Sequence, residues 1–102
     1  GAAQADAWRT IQRGHAIANG VYVASPNRVG HEVIADEGIE FFGGSFVSDP
    51  FGRIVAEASR DLDEVLVAEV DPALVEETRR HWPFFRDRRI DAYGALTSRF
   101  GL

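Results

Sequence analysis

Residues 8–30 read WRTIQRGHAIANGVYVASPNRVG, and this stretch decides the fold class. Trp8, Ile11, His15 and Ala18 recur at the spacing of one helical face, with Arg9, Gln12 and Arg13 on the others. That spacing predicts an amphipathic helix over 7–19 with Asp6 placed to cap its start. Asn19-Gly20 stops the helix, since both residue types tolerate left-handed backbone. Val21-Tyr22-Val23-Ala24 has the continuous apolar character of a strand buried on both faces, and Pro26 ends it. A helix feeding directly into a buried strand points to an α/β protein.

Beyond this stretch the pattern loosens. Asn27 to Gly38 is polar and interrupted by Gly30, so a loop with some strand character is expected. Ile39 to Phe42 and Ser45 to Val47 read as short strands on either side of Gly43-Gly44. Asp49-Pro50-Phe51-Gly52 is a turn with proline in second position, joining Phe46-Val47 to Ile54-Val55-Ala56 as a hairpin. Glu64 to Val70 reads as a further strand. Asp71-Pro72 opens a helix, because aspartate accepts backbone N–H groups and proline needs none at the first position. Arg79, Arg80 and His81 suit its C-terminal end, near Trp82-Pro83. Residues 84–102 mix arginines with Ile90, Tyr93, Leu96 and Phe100 and read as a partner-seeking tail. Two helices and several apolar strands cannot cover both faces of a sheet, so further chain, or a second chain, is needed to complete the layers.

Composition narrows the function. At 102 residues and 45% hydrophobic content, the chain can build one domain or part of one. Its net charge of −5 and scattered arginines give no basic groove, which argues against nucleic acid. No apolar run is long enough to span a bilayer, and Gly1 to Asp6 does not resemble a signal peptide, so no membrane partner and a soluble, cytoplasmic protein are expected. The sequence contains neither cysteine nor lysine, which excludes thiolate metal sites, cysteine nucleophiles and amine acid–base chemistry within these residues.

The stretch WRTIQRGHAIANGVYVASPNRVG resembles the nitrilase superfamily of carbon-nitrogen hydrolases, especially its N-carbamoylputrescine-hydrolysing branch. The resemblance continues through Glu40 to Phe46, Asp49-Pro50-Phe51-Gly52, Val70-Asp71, and Phe85-Arg86-Asp87-Arg88-Arg89 with Tyr93. Ile90 departs from it, standing where the family usually has proline. The resemblance implies the C-terminal part of a four-layer αββα sandwich. It also implies an amidohydrolase that cleaves a linear amide or ureido bond, converting N-carbamoylputrescine to putrescine, carbon dioxide and ammonia as a step in polyamine biosynthesis. The family's cysteine nucleophile, glutamate base and lysine lie upstream of the matched region, so no catalytic residue is assigned here and these residues alone are expected to be inactive. No metal and no cofactor is implied. The implied partners are a small-molecule substrate and either further copies in a homo-oligomer or the N-terminal portion of the domain.

Candidate pocket residues follow the buried strand. Asn27, Arg28, His31 and Glu32 occupy the kind of strand-end position that lines pockets, although loop anchoring, with Arg28 paired to a carboxylate, is the simpler reading. Gly43 and Ser45 could bring backbone near substrate, or could simply mark a bulge. Ser45 lacks the frame of a serine nucleophile. His15 is expected to be a structural, hydrogen-bonded histidine. Trp82, Phe85, Arg86, Arg88, Arg89 and Tyr93 are the interface candidates, the family tail being one that crosses a subunit boundary. The alternative to the enzymatic reading is a non-catalytic interaction or assembly module. An amidase for carbamoyl amino acids is a further possibility.

Overall fold

The computed structural model describes residues 1–100; Gly101 and Leu102, the end of the expected interface tail, lie outside the described residues. Helix α1 spans Ala2–Asn19, followed by strands β1 (Val23–Ser25), β2 (Val29–Ile34), β3 (Glu37–Phe42), β4 (Phe46–Ser48) and β5 (Ile54–Glu57), then helix α2 (Pro72–His81). Short 3-10 helices at Ile90–Ala92 and Gly94–Thr97 close the described chain. The fold is α/β, as expected. Strands β1, β4 and β5 form one antiparallel sheet in the order β1-β4-β5, while β2 and β3 form a separate hairpin.

Helix α1 begins earlier than expected. Asp6 is not its cap: Gly1 is the N-cap residue, its ammonium donating to Gln4 Oε1 at 2.9 Å and its carbonyl accepting from Gln4 and Ala5 N–H. The alanine-rich first turns have the intrinsic propensity to extend the helix back that far. Gly20 closes it with φ 59°, and Arg79 of α2 donates to the Asn19 carbonyl at 3.1 Å, where helix-end carbonyls lack internal partners.

The buried face of α1 also differs from the expected one. Register pairs Ser25 with Phe46 and Phe46 with Glu57, so these residues share a sheet face. Over that face Trp8 meets Phe46 edge-on at 5.5 Å, Arg9 lies 5.2 Å from the Phe46 ring centre and pairs with Glu57 at 2.9 Å, and Arg13 donates to the Gly52 carbonyl at 2.6 Å. An edge-on aromatic pair adds roughly 0.5–1.5 kcal/mol beyond its buried area. Ile11 and His15 are exposed, so His15, expected as a structural, hydrogen-bonded histidine, lies at the surface of the described chain.

Three strand expectations need correction. The first strand sits at 23–25 and has Ala24 exposed, so it is covered on one face only. The segment 27–38 is no loop: Val29–Ile34 pairs with Glu37–Phe42 in full antiparallel register, turning at Ala35-Asp36. Ala35 adopts φ 56°, which reveals why no glycine or asparagine announced the turn. Residues 64–70 form no paired strand among the described residues. By contrast, the 46–57 hairpin is as read, with a register shift between Val47 and Ser48. Asp49 organises its turn, accepting from Phe51 and Arg53 N–H at 2.9 and 3.0 Å and from Arg53 Nε at 2.6 Å. Asp71 caps α2 through the Ala73 N–H at 3.0 Å, also as read.

The layers are thin. Ala16 and Phe46 are the buried hydrophobic residues of the described chain, and the radius of gyration is 17.9 Å against about 13 Å for a compact 100-residue domain. Its accessible surface of 7836 Å² likewise exceeds the roughly 5,700 Å² of a self-contained protein of this mass. The architecture is one helix on one sheet with the opposite sheet face open. No helix among the described residues is long and apolar enough to cross a membrane.

Candidate functional site

The end of β1 and the glycine link before β4 converge on a small polar knot. Asn27 N–H donates to Ser45 Oγ at 2.7 Å, Ser45 Oγ donates to the Asn27 carbonyl at 3.2 Å, and Asn27 Nδ2 donates to the Gly43 carbonyl at 3.0 Å. Gly43 N–H returns to the Arg28 carbonyl at 3.0 Å. Consecutive left-handed residues, Gly43 at φ 53° and Gly44 at φ 70°, carry the chain from the β2–β3 hairpin into the sheet. A side chain at Gly43 would stand 2.6 Å from the Arg60 carbonyl oxygen, so glycine is required by close backbone approach. Of the six pocket candidates, Asn27, Gly43 and Ser45 are thus brought together, with Ser45 held in hydrogen bonds to backbone rather than beside a base.

The other three lie along the hairpin. Arg28 sits 4.3 Å from the Phe41 ring centre and pairs with Glu32 at 3.2 Å. His31 Nδ1 faces Glu40 Oε2 at 2.9 Å, the two residues being register partners, and the absence of a side chain on Gly38 leaves room for the imidazole. All of these pairs are substantially exposed, where ion pairs contribute about 0–1 kcal/mol.

Beside the knot is a cavity of about 510 Å³ lined by Asn27, Arg28, Val29, Gly30, Asp61 and Asp63. Asp61 and Asp63 were not singled out from the sequence; the run Asp61-Leu62-Asp63-Glu64 was the available signal. Just past them, Glu64 accepts the Ser59 N–H, which holds its carboxyl below the usual range. A second cavity, about 460 Å³, lies between Phe51 and α2, lined by Leu74, Glu77, Thr78, His81 and Trp82.

The interface candidates form a ribbon after α2. Trp82 stacks obliquely on Phe84 at 5.0 Å and lies 6.1 Å from Phe51. Arg88 donates to the Phe85 carbonyl at 2.8 Å and lies over that ring, Arg86 pairs with Asp87 at 3.0 Å, and Arg89 clasps Asp91, depressing its carboxyl pKa. Tyr93 is exposed, and so are Trp82 and Phe85.

Comparison with known proteins places this arrangement. The family model for carbon-nitrogen hydrolases matches residues 1–80. The N-carbamoylputrescine amidase of Arabidopsis thaliana is 43% identical over 100 residues, covering 94% of this chain and 33% of that protein. The citrullinase of Francisella tularensis is 36% identical over 95 residues, covering 93% of this chain and 33% of that protein. The crystal structure of a carbon-nitrogen hydrolase from Helicobacter pylori superposes with a TM-score of 0.86 at 52% identity, covering 94% of this chain and 34% of that one. The chain therefore spans about a third of the length of the relatives it matches. With the family model covering most of its length and the fold shared at high identity, the chain belongs to the carbon-nitrogen hydrolases of the nitrilase superfamily.

Proposed function

We propose that these residues are the pocket-forming C-terminal part of an amidohydrolase that cleaves a linear ureido bond, with N-carbamoylputrescine as substrate. The observation carrying this reading is the identity with the Arabidopsis N-carbamoylputrescine amidase across nearly the whole chain. The catalytic cysteine and lysine of this reading lie in the part of the relatives' length outside the match, since neither occurs here, and the resemblance to the family puts the glutamate with them. The thiolate attacks the ureido carbonyl, the lysine steadies the oxyanion, and the bond from that carbonyl carbon to the putrescine nitrogen breaks as the glutamate relays a proton to the departing amine. Water then hydrolyses the S-carbamoyl enzyme, freeing the thiol and carbamic acid, which splits into carbon dioxide and ammonia. In this reading the Asn27–Gly43–Ser45 knot fixes one wall of the pocket, and Arg28, His31 and Glu32 border it. The ribbon from Trp82 to Tyr93 joins copies in a homo-oligomer, and the setting is cytoplasmic.

The test joins this chain to the upstream portion of the Arabidopsis relative and measures ammonia release. The chain alone should release none; the joined protein should release it from N-carbamoylputrescine in preference to citrulline. Citrulline as the preferred substrate would move the activity to carbamoyl amino acids, a reading the citrullinase similarity favours. No release from either would favour a non-catalytic assembly module.

A further inference from the structure

The cavity of about 510 Å³ beside the Asn27 knot has two walls of different chemistry. On the strand-end wall the donors are already engaged: Asn27 Nδ2 donates to the Gly43 carbonyl, and Arg28 pairs with Glu32 at 3.2 Å while its guanidinium lies 4.3 Å from the Phe41 ring centre. The bonds of the knot leave the Asn27 side-chain oxygen out. The facing wall is the loop that carries Asp61 and Asp63, and neither carboxylate makes an ion pair or hydrogen bond among the described residues. Arg60, next in sequence, lines a separate hollow beside Trp8. The loop is nevertheless fixed. Gly44 N–H donates to the Ser59 carbonyl at 3.1 Å and Ala58 N–H to the Ser45 carbonyl at 2.8 Å, which brings the loop to the sheet end that holds the knot. Leu62 N–H donates to Ser59 Oγ at 3.0 Å and Glu64 accepts the Ser59 N–H, so the backbone on both sides of Asp61 and Asp63 is tethered.

We propose that this cavity is the subsite for the distal ammonium of the substrate, and that Asp61 and Asp63 are the carboxylates that meet it and that turn away a substrate carrying a carboxylate at the same end. The proposal rests on the reading of this chain as part of an N-carbamoylputrescine hydrolase. N-carbamoylputrescine and citrulline share the ureido group and the chain that follows it, and differ by one carboxylate on the carbon that bears the ammonium. A site that prefers the first must read that end of the molecule. A primary ammonium brings donors and no acceptor, so it suits a wall of carboxylate and amide oxygens. A carboxylate placed there meets like charge on Asp61 and Asp63, while the nearest cation of the lining, Arg28, is already paired with Glu32. Val29 supplies apolar surface for the methylene stem. The volume falls within the roughly 300–1,000 Å³ of small-molecule sites.

The experiment compares the joined protein with a variant carrying Asp61→Asn and Asp63→Asn, reading ammonia release and, by calorimetry, the binding of putrescine. KM for N-carbamoylputrescine should rise by about tenfold or more with kcat little changed, the pattern of lost ground-state binding. Butylurea, which keeps the ureido group and lacks the ammonium, should be hydrolysed equally by both proteins, and the preference over citrulline should narrow in the variant. Asp61→Glu with Asp63→Glu should retain more affinity than the asparagine pair, because the charge is kept. Equal KM values in the two proteins overturn the proposal. So does an equal loss on butylurea, which would make the loop a structural element only, and so does a preference for citrulline in the unsubstituted protein. Putrescine separates this proposal from the proposed function if no ammonia appears. Binding that the asparagine variant loses refutes the proposed function and leaves the subsite standing, whereas binding that the variant keeps, or no binding by the unsubstituted protein, overturns the subsite.

Discussion

Asn27 and Gly43 are joined by a 3.0 Å hydrogen bond from side-chain amide to backbone carbonyl, and this bond ties the end of β1 to the link between hairpin and sheet. Asn27→Ala should cost about 1 kcal/mol, the net worth of an ordinary hydrogen bond. Ser45→Ala should cost more, about 1–3 kcal/mol, because it strands the Asn27 N–H that donates to Ser45 Oγ. Urea unfolding midpoints of the two variants give the order.

Gly43→Ala combines a left-handed backbone with a close approach to Arg60 and Val29, and should destabilise by on the order of 3 kcal/mol or more. Gly14→Ala should do the reverse. It lies within α1 with open space around it, so alanine should stabilise by about 0.5–1 kcal/mol. Thermal unfolding of both variants checks the opposite signs.

The hydrogen bond from Arg9 holds the Glu57 carboxyl below its ordinary value of 4.5. A carboxylate lowered by folding contributes stability that is fully present above its unfolded pKa and is lost as pH falls through the folded one. Stability should therefore decline on acidification below about that ordinary value, and Glu57→Gln should flatten this part of the profile. Glu57 is half-exposed, so the effect should not exceed about 1 kcal/mol. Urea unfolding repeated from pH 3 to pH 7 provides the measurement.

Ser48 is fully buried, and its hydroxyl has no hydrogen-bond partner among the described residues. Ser48→Ala should raise stability by about 1 kcal/mol, since an unpaired buried hydroxyl costs more than the methyl that replaces it. A loss of stability in the chain joined to the remaining domain would place a partner for the hydroxyl in that portion.

Arg88 and Arg89 hold the ribbon after α2 through the Phe85 carbonyl and Asp91. Replacing both by alanine should reduce oligomer mass in light scattering at micromolar protein before it changes substrate affinity. Unchanged mass would remove the ribbon from the interface.

What the sequence determined by itself is local chemistry. The turn at Asp49-Pro50-Phe51-Gly52, the left-handed stop at Gly20 and the Asp71 cap were legible because each depends on residues a few positions apart. Family membership was legible too, through motifs spread along the chain. Tertiary structure alone decided which side of α1 is buried, because Phe46 and Glu57 draw Trp8 and Arg9 down onto the sheet and turn Ile11 and His15 away. It also decided that the polar run after Asn27 is a hairpin, whose pairing overrides a weak local pattern. Residues 64–70 have the composition of a strand yet pair with no other strand among the described residues, because composition alone does not make a strand where no ladder forms.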